Sequence, residues 1–323
     1  MKWRYLAVAA TVLAACIAAP QAGGAQPLVP VLADDFEGQD FDPKGGLYYK
    51  KNFEQSAGTV RFISTEARQG KQALALSIRP LCPVGAGDCS ERAEVWEKKK
   101  VLVPYGEEVW YAFSMKLADP IPRDDHRYLM AQWKRQITPA ARKSYSPFLA
   151  LRLDKGKIVI TVETDEVKAE PLGTPERPDR CKPGETLVNN RPHDRQTRAL
   201  VAWQTDMAVT AWRYQNACTS DILVKPYREG LPAAESGWID FVFAIRTGPR
   251  GNGRIAIAAN GRPVALVTGR IGHEGVGLGD DMYFKFGPYR AGQDSVWTVL
   301  YDRFRRGARC SDVTAGAVCT LWQ

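Results

Sequence analysis

The chain has 323 residues, of which 45% are hydrophobic and 25% charged, and its formal net charge is +8. No internal repeat or low-complexity segment is present, which excludes a repeat architecture and predicts a folded globular protein. A basic protein tends to meet polyanions, but charge alone leaves acidic polysaccharide, nucleic acid and membrane surfaces open as partners.

The first 25 residues are typical of an export signal. Lys2 and Arg4 give a basic start, and an apolar run over residues 5–19 is followed by small residues that suit cleavage. The run is too short for a confident membrane span. A lipobox-like sequence ending at Cys16 is the alternative and would leave a lipid anchor. We predict ordinary cleavage, a secreted or periplasmic protein, and no stable membrane association unless Cys16 is lipidated.

Cleavage would remove two basic residues and lower the net charge from +8 to +6. We predict that the remainder, residues 26–323, forms a single domain. It holds six cysteines, and an even number in an exported chain favours disulfides. Several pairings are possible, and pairing between neighbours is the simplest. The predicted bonds are Cys82–Cys89, Cys181–Cys218 and Cys310–Cys319.

A zinc site is the weaker interpretation of these cysteines. The sequence has no CxxC pair and only three histidines. We therefore predict no metal site.

Alternation of apolar and polar residues predicts strands along most of the chain. Residues 110–117 place every second side chain on one apolar face, and residues 148–153 and 157–162 suit a hairpin. Asn260-Gly261 is the strongest hairpin signal, between strands at residues 254–259 and 263–268. Further strands are predicted at residues 238–245 and 296–304.

Two segments lack a clear period. Residues 125–136 are ambiguous between a strand and a short helix, and residues 170–237 are richer in proline, arginine and polar residues. We interpret the second segment as long loops or an inserted subregion near one rim. Many short strands between Gly, Pro and Asn turns predict an all-β fold: a β-jelly roll, or concanavalin A-like sandwich, with long loops.

The most distinctive predicted strand covers residues 283–290. Side chains of a strand alternate between its faces, so Tyr283, Lys285 and Tyr289 would share one face. Gly287 would leave an open spot on that face, and the intervening phenylalanines would point into the core. A cation beside a phenol on a strand suits catalysis on an acidic substrate.

Two further segments carry polar residues two positions apart. Arg92 and Glu94 form one pair, and Gln132 and Lys134 form the other. Taken singly, each pair more often means a surface ion pair or a solvated face. The occurrence of all three segments in one chain favours a site.

The three segments together resemble the β-jelly-roll polysaccharide lyases, a group that includes alginate lyases, glucuronan lyases and heparin lyase I. The patterns of this group are R-x-E, Q-x-H and Y-x-K-x-G-x-Y, and the late tyrosine pattern is the more specific. Flanking sequences resemble the heparin-lyase-I-like branch. They lie at residues 34–38, 238–241, 260–261 and 301–307.

The resemblance implies β-elimination on a uronate-containing polysaccharide, with no cofactor and a monomeric enzyme. Tyr289 would donate and accept the proton, while Arg92, Gln132 and Lys134 neutralise the uronate carboxylate. A free tyrosine has a pKa of about 10, and a nearby cation would favour its phenolate. The expected substrate-binding residues are Lys285, Glu94, Tyr283, Arg290 and His126, with Lys285 or Arg290 as that cation.

One position departs from the pattern, because Lys134 stands where the family has histidine. Lysine can neutralise a carboxylate but is a poor base at neutral pH unless it is strongly desolvated. His126 is the nearest histidine in sequence that could substitute. This departure leaves open the alternative that the chain is a non-catalytic carbohydrate-binding protein of the same fold.

Two other functions are less favoured. A jelly-roll glycoside hydrolase needs paired carboxylates, and the acidic segment at Glu163 and Asp165 lacks the third acid of the usual pattern. The lysines at residues 98–100 are more typical of a solvated strand end than of a surface that binds nucleic-acid phosphates. No nucleic-acid partner is therefore predicted.

Overall fold

The fold was analysed in a computed structural model that describes residues 28–42, 44–49, 56–86, 89–175, 180–207, 215–315 and 317–322. The predicted export signal and Cys16 lie outside the described residues. Among those described, no helix is long and apolar enough to cross a membrane. The helical turns of the described chain are short 3₁₀ segments at Lys99–Val101, Cys310–Asp312 and Ala317–Trp322.

Within the described ranges, the strands form two antiparallel sheets, one of nine strands and one of twelve. In spatial order, the nine-stranded sheet contains β16 (Ile222–Pro226), β19 (Arg262–Ile271), β18 (Gly248–Ala259), β17 (Ile239–Arg246), β8 (Val109–Leu117), β21 (Trp297–Gly307), β4 (Ala73–Ile78) and β3 (Gly58–Ile63), with β1 (Leu32–Asp34) also paired to β21.

The twelve-stranded sheet carries the candidate site. In spatial order it contains β12 (Glu170–Pro171), β15 (Ala217–Thr219), β13 (Thr186–Arg191), β14 (Gln196–Trp203), β11 (Lys157–Asp165), β10 (Leu149–Asp154), β9 (Tyr128–Ile137), β20 (Leu278–Ala291), β6 (Val95–Glu97) and β2 (Leu47–Tyr49), with β5 (Ser90–Arg92) and β7 (Val103–Pro104) also paired to β20. The two sheets confirm the predicted all-β jelly-roll sandwich.

The core between the sheets follows the predicted alternation. The apolar face of β8 is buried there, and Phe113 stacks on Phe284 of β20 at 5.7 Å between ring centroids. The opposite face of β8 carries Trp110, which packs in a smaller cluster with Val318 of the last 3₁₀ turn. Alternate residues of one strand thus serve two separate apolar layers.

Both predicted hairpins form, and their turns explain the sequence signals. Asn260 and Gly261 have φ values of 50° and 75°, and Lys155 and Gly156 have 49° and 81°. Two consecutive residues with positive φ make a two-residue turn whose twist matches the flanking strands. β18–β19 and β10–β11 are joined in this way.

The ambiguous segment at residues 125–136 is mostly strand β9 rather than a helix. Its register against β10 shifts by one residue at Ala131, and the consecutive residues Met130 and Ala131 are both in the core. A β-bulge of this kind interrupts the alternation. The bulge therefore hides the two-residue period of a strand in this segment of the sequence.

The interpretation of residues 170–237 as loops is wrong in part, because they contain β12 to β16. β13 and β14 continue the twelve-stranded sheet beyond β11, and β16 forms an edge of the other sheet. Their polar side chains hid the strand pattern: Asn189 and Arg198 face one another across β13 and β14.

All three predicted disulfides are present: Cys82–Cys89, Cys181–Cys218 and Cys310–Cys319. Three disulfides are typical of exported proteins. Glu185 lies near the sulfurs of Cys181 and Cys218, but those sulfurs are bonded to each other and are not metal ligands.

A buried ion pair crosses the sandwich and holds β20 in place. Arg306 of β21 donates to Glu97 of β6 at 2.6 Å, and the Tyr111 hydroxyl donates to the same carboxylate at 3.2 Å. The other oxygen of Glu97 accepts the backbone N–H of Phe284 at 2.8 Å. This anchor lies directly beneath the candidate site.

Candidate active site

The three predicted polar segments meet on one surface of the twelve-stranded sheet. β20 pairs with β9 on one side and with β5 and β6 on the other. Lys285 lies opposite Gln132, and Tyr283 lies opposite Lys134. We call the surface of this sheet that faces away from the core the open face.

Glu94 organises the centre of the site. Its carboxylate accepts hydrogen bonds from the Gln132 amide at 2.5 Å and from the Lys285 ammonium at 2.8 Å. Arg92 lies 3.7 Å from the same carboxylate. Glu94, Gln132 and Lys285 are all buried. Glu94 therefore fixes the positions of donors from three strands and is not free to act on a substrate itself.

Replacing Glu94 with alanine would leave the buried Lys285 ammonium without its carboxylate. We expect a loss of about 3–5 kcal/mol in the free energy of unfolding, the usual cost of breaking a buried pair. Urea denaturation measures this loss. Glu229→Ala, which breaks an exposed pair with Arg262, is the matched control and should cost less than about 1 kcal/mol. Equal losses in the two variants would contradict the assignment.

Tyr289 is half-buried and surrounded by cations. The Arg92 guanidinium lies 4.4 Å from the centroid of its ring, Arg127 lies at 4.9 Å, and the Lys285 ammonium lies at 6.0 Å. Arg127 was not predicted as a site residue, because it precedes β9 and belongs to no alternating pattern. Positive charge around the phenol would stabilise a phenolate formed during a reaction.

Trp96 is a second residue that the sequence analysis did not select. Its ring stacks on Tyr283 at 5.1 Å, and the Lys285 ammonium lies 4.5 Å from it. A cation over an indole face is held electrostatically. Trp96 lies two residues after Glu94 in the R-x-E segment, and continued alternation along that segment could have identified it.

Lys134 lies on the same face and is strongly desolvated. Burial, followed by repulsion from Lys285, lowers the pKa of Lys134 to about 8. Glu94 opposes this shift. Lys134 is thus mostly charged at neutral pH and loses its charge in mildly alkaline solution.

A β-bulge in β20 changes the predicted role of Gly287. The register against β9 shifts between Phe286 and Tyr289. Gly287 has a φ of 122°, and a Cβ on it would lie 2.0 Å from the carbonyl oxygen of Ala93. Gly287 is therefore a point of close backbone contact and not the open spot that we expected between Lys285 and Tyr289.

We expect Gly287→Ala to destabilise the fold by roughly 1–3 kcal/mol or more, since alanine would meet both a strained φ and the Ala93 carbonyl. Gly106→Ala is the matched control, because Gly106 has a φ of 102° and a Cβ added there would meet no atom within 4 Å. Thermal unfolding of the two variants separates the clash from the backbone strain. A smaller loss at Gly287 than at Gly106 would contradict the close contact.

Arg290, which we expected at the site, points to the opposite side of β20 from Tyr289, as adjacent residues of a strand do. Arg290 is fully buried and donates to Glu91 at 2.6 Å. It lies on the core side of the sheet, while Tyr289 lies on the open face. The structure therefore places Arg290 in a buried ion pair and not on the face that carries Tyr289.

The structure places His126 in the loop that precedes β9. Its Nδ1 lies 2.6 Å from Asp124, which also accepts the Tyr128 hydroxyl at 2.8 Å. His126 adjoins Arg127 and so belongs to the Tyr289 end of β9. Lys134 lies near the other end of the strand, so His126 does not occupy the position of the family histidine.

A second charged group lies farther along the open face. Arg152 of β10, Arg191 of β13 and Arg198 of β14 surround the buried carboxylate of Glu163 on β11. Burial alone would raise the pKa of Glu163, but the three arginines outweigh it and lower that pKa to about 2. A carboxylate this acidic cannot act as a general acid, which argues against the glycoside-hydrolase alternative.

Comparison with solved structures gives similar folds at low identity. The chain is similar to an endo-β-1,4-glucuronan lyase from the fungus Trichoderma reesei, with a TM-score of 0.55 and 16% identity over 88% of this chain and 96% of that one. It also matches the alginate lyase AlyC3, with a TM-score of 0.41 and 12% identity over 85% and 88% of the two chains. No curated protein matches the sequence.

The sequence also matches a family model described as "Polysaccharide lyase", over residues 39–305. This range includes all three polar segments of the open face and most of both sheets. The chain therefore belongs to the polysaccharide lyase family.

Proposed function

We propose that this polysaccharide lyase is exported and cleaves a uronate-containing polysaccharide by β-elimination at the open face. One observation carries the proposal: a half-buried phenol, Tyr289, lies among three cations on a face where Gln132 pairs with Lys285 of the same strand. Such a group of donors suits a carboxylate and the negative charge that develops next to it. The three disulfides support an oxidising compartment.

The first task of the site is to neutralise the uronate carboxylate. Removal of the proton at C5 creates negative charge that is shared with that carboxylate. Arg92, Gln132 and Lys134 supply N–H donors from β5 and β9. Because the carboxylate carries more negative charge in the transition state than in the bound substrate, these donors stabilise the transition state more. Glu94 keeps Gln132 oriented by accepting its amide hydrogen bond.

Tyr289 performs both proton transfers in this scheme. Its phenolate takes the proton from C5, the electron pair forms the C4–C5 double bond, and the bond from C4 to the glycosidic oxygen breaks. The leaving oxygen then takes the proton from Tyr289 and regenerates the phenolate. Arg92, Arg127 and Lys285 lie close enough to the ring of Tyr289 to stabilise the negative charge that develops on it during the transfer.

Lys134 acts as a cation rather than as the base. A bound carboxylate would raise its pKa from about 8, because an opposite charge favours the ammonium form. Substrate binding thus secures the charge that neutralisation requires. This role needs no histidine at the position and explains how the departure from the family pattern is compatible with turnover.

Incubation with a panel of polyuronates, including glucuronan, alginate and heparin, tests the proposal. We expect ultraviolet absorbance of an unsaturated uronate to appear with at least one polymer. Binding of a polyuronate without any product would instead favour the non-catalytic carbohydrate-binding alternative, which the Lys134 departure motivates. Activity confined to a neutral polysaccharide would contradict the uronate assignment.

A further inference from the structure

We propose that Arg152, Arg191 and Arg198 form a second anion subsite on the open face, where they bind a uronate carboxylate distant from the bond that is cleaved. We call these three residues the arginine cluster. The inference rests on the proposed function, since it assumes a polymer with repeated carboxylates. It adds residues outside the three segments that the sequence analysis selected.

The arginine cluster converges from three strands onto one carboxylate. Arg198 donates to Glu163 at 2.6 Å, Arg152 lies 3.5 Å from the same oxygen, and Arg191 donates to the other oxygen. Arg152 is also held by the hydroxyl of Thr161, which accepts its Nε–H at 2.9 Å. Glu163 is fully buried, whereas the side chains of Arg191 and Arg198 keep about a fifth of their surface exposed.

The cluster continues the candidate active site across the sheet. β10 lies two strands from β20, a separation of about 10 Å, and β14 lies four strands away, at about 19 Å. Lys134 lies on β9, the strand between β20 and β10, and both Glu94 and Glu163 influence its pKa. A short oligosaccharide that crosses the strands from Tyr289 would therefore reach the arginine cluster.

Glu163 cannot satisfy the three arginines by itself. Three positive charges face its single negative charge, and Arg191 has a further partner in Asp194 at the exposed turn. Each guanidinium presents about five N–H donors, whereas a carboxylate offers about four acceptor sites. The donors of the cluster exceed the capacity of Glu163 several times, which suits a site that accepts a second carboxylate.

Arg152 is repelled by neighbouring arginines in the free protein, which argues against a purely structural role for this side chain. Burial, followed by repulsion from Arg198, lowers the pKa of Arg152 to about 9. Apolar residues of similar volume would stabilise a sheet surface at lower cost than several partly buried like charges. An incoming anion would relieve the repulsion, and perturbed groups of this kind concentrate at functional sites.

The expected ligand group is a carboxylate. The planar guanidinium fork matches a carboxylate with two parallel hydrogen bonds. Arg191 and Arg198 approach Glu163 from neighbouring strands and are partly exposed. A sugar carboxylate above Glu163 would thus meet two forks and fix the register of the polymer relative to Tyr289.

The test compares Arg191→Gln and Arg198→Gln with the wild-type enzyme on long and short oligouronates. We expect KM for long substrates to rise about tenfold in each variant, with kcat unchanged, since a charged hydrogen bond is lost. The shortest cleavable substrate should be unaffected, because it does not reach the cluster. Arg198→Lys keeps the charge but not the fork, and should show an intermediate KM.

Arg246→Gln is the matched control, since it removes an exposed arginine from β17 in the other sheet. Thermal unfolding of every variant checks for a general loss of structure, which would lower the melting temperature relative to the wild type. Equal losses on long and short substrates would assign the cluster a structural role and overturn the subsite. A selective loss on heparin but not on unsulfated glucuronan would overturn the carboxylate assignment in favour of sulfate.

Affinity electrophoresis with glucuronan separates failure of the subsite from failure of the proposed reaction. The protein used is the Tyr289→Phe variant, which retains the full face. If the wild-type protein cleaves no polyuronate but binding depends on Arg191 and Arg198, the subsite stands and the reaction fails. If the wild-type protein cleaves polyuronates and neither Arg191→Gln nor Arg198→Gln alters binding or KM, the reaction stands and the subsite fails.

Discussion

Tyr289→Phe is expected to lower kcat by about 10²–10⁴-fold on any polyuronate that the enzyme cleaves. The change removes only the phenol oxygen, which takes the C5 proton and returns it to the leaving group. The ring stays close to Arg92 and Arg127, so KM should change little. Initial rates from the absorbance of the unsaturated product measure the effect.

Tyr227→Phe is the matched control for this variant. Tyr227 follows β16 at the edge of the other sheet, and it also has a cation, Lys225, 5.7 Å from its ring. Its kcat should equal that of the wild type. Retention of more than about a tenth of kcat in Tyr289→Phe, with an unchanged melting temperature in both variants, would remove Tyr289 from the proton transfers.

Lys134→Gln is expected to lower kcat/KM by about 10²–10³-fold, the usual cost of removing a donor that stabilises developing charge. Lys134→Arg should retain a substantial part of the activity, because arginine is always charged at neutral pH. Steady-state kinetics on the same polyuronate compare the two variants. A Lys134→Arg enzyme as inactive as Lys134→Gln, with both folded, would assign Lys134 the role of base.

The pH profile gives the same distinction independently. The pKa of Lys134 is about 8 in the folded protein, below its ordinary value of 10.5. The required ammonium is thus present below about pH 8, so the ratio of the wild-type kcat/KM to that of Lys134→Arg, which stays charged, should fall as the pH rises through that value. The ratio cancels the ionisation of every group that the two enzymes share. A ratio that rises through pH 8 would contradict the neutralising role.

The same shift has a consequence for stability. A folded-state pKa below the unfolded value means that the ammonium opposes folding at and below about pH 8. This cost declines as the pH rises from about 8 towards 10.5, where the side chain is neutral in both states. Lys134 is therefore kept at the expense of stability, as is common for functional residues.

The sequence predicted the elements whose signals are local. Alternation in β8 identified its buried face, and Asn260-Gly261 identified a hairpin because that turn needs two residues with positive φ. The disulfides followed from pairing between neighbours. The grouping of Arg92, Gln132 and Tyr289 on one face followed from resemblance to the family, since strand order is not written in any single segment.

The parts that could not be predicted depend on bulges and on strand order. Strict alternation predicted an open spot at Gly287, whereas the bulge brings that residue against the carbonyl oxygen of Ala93. The arginine cluster required the order β10–β11–β14–β13. Arg152, Glu163 and Arg198 lie far apart in sequence, and no local pattern predicts that they converge.

The most direct test of the account is the chemistry of the new chain ends. Cleavage of the active polyuronate in water labelled with heavy oxygen, followed by mass spectrometry, distinguishes elimination from hydrolysis. We predict an unsaturated uronate at each new non-reducing end and no solvent oxygen introduced by cleavage, after correction for exchange at the reducing end. Saturated ends formed with incorporation of labelled oxygen would contradict β-elimination and with it the role assigned to Tyr289.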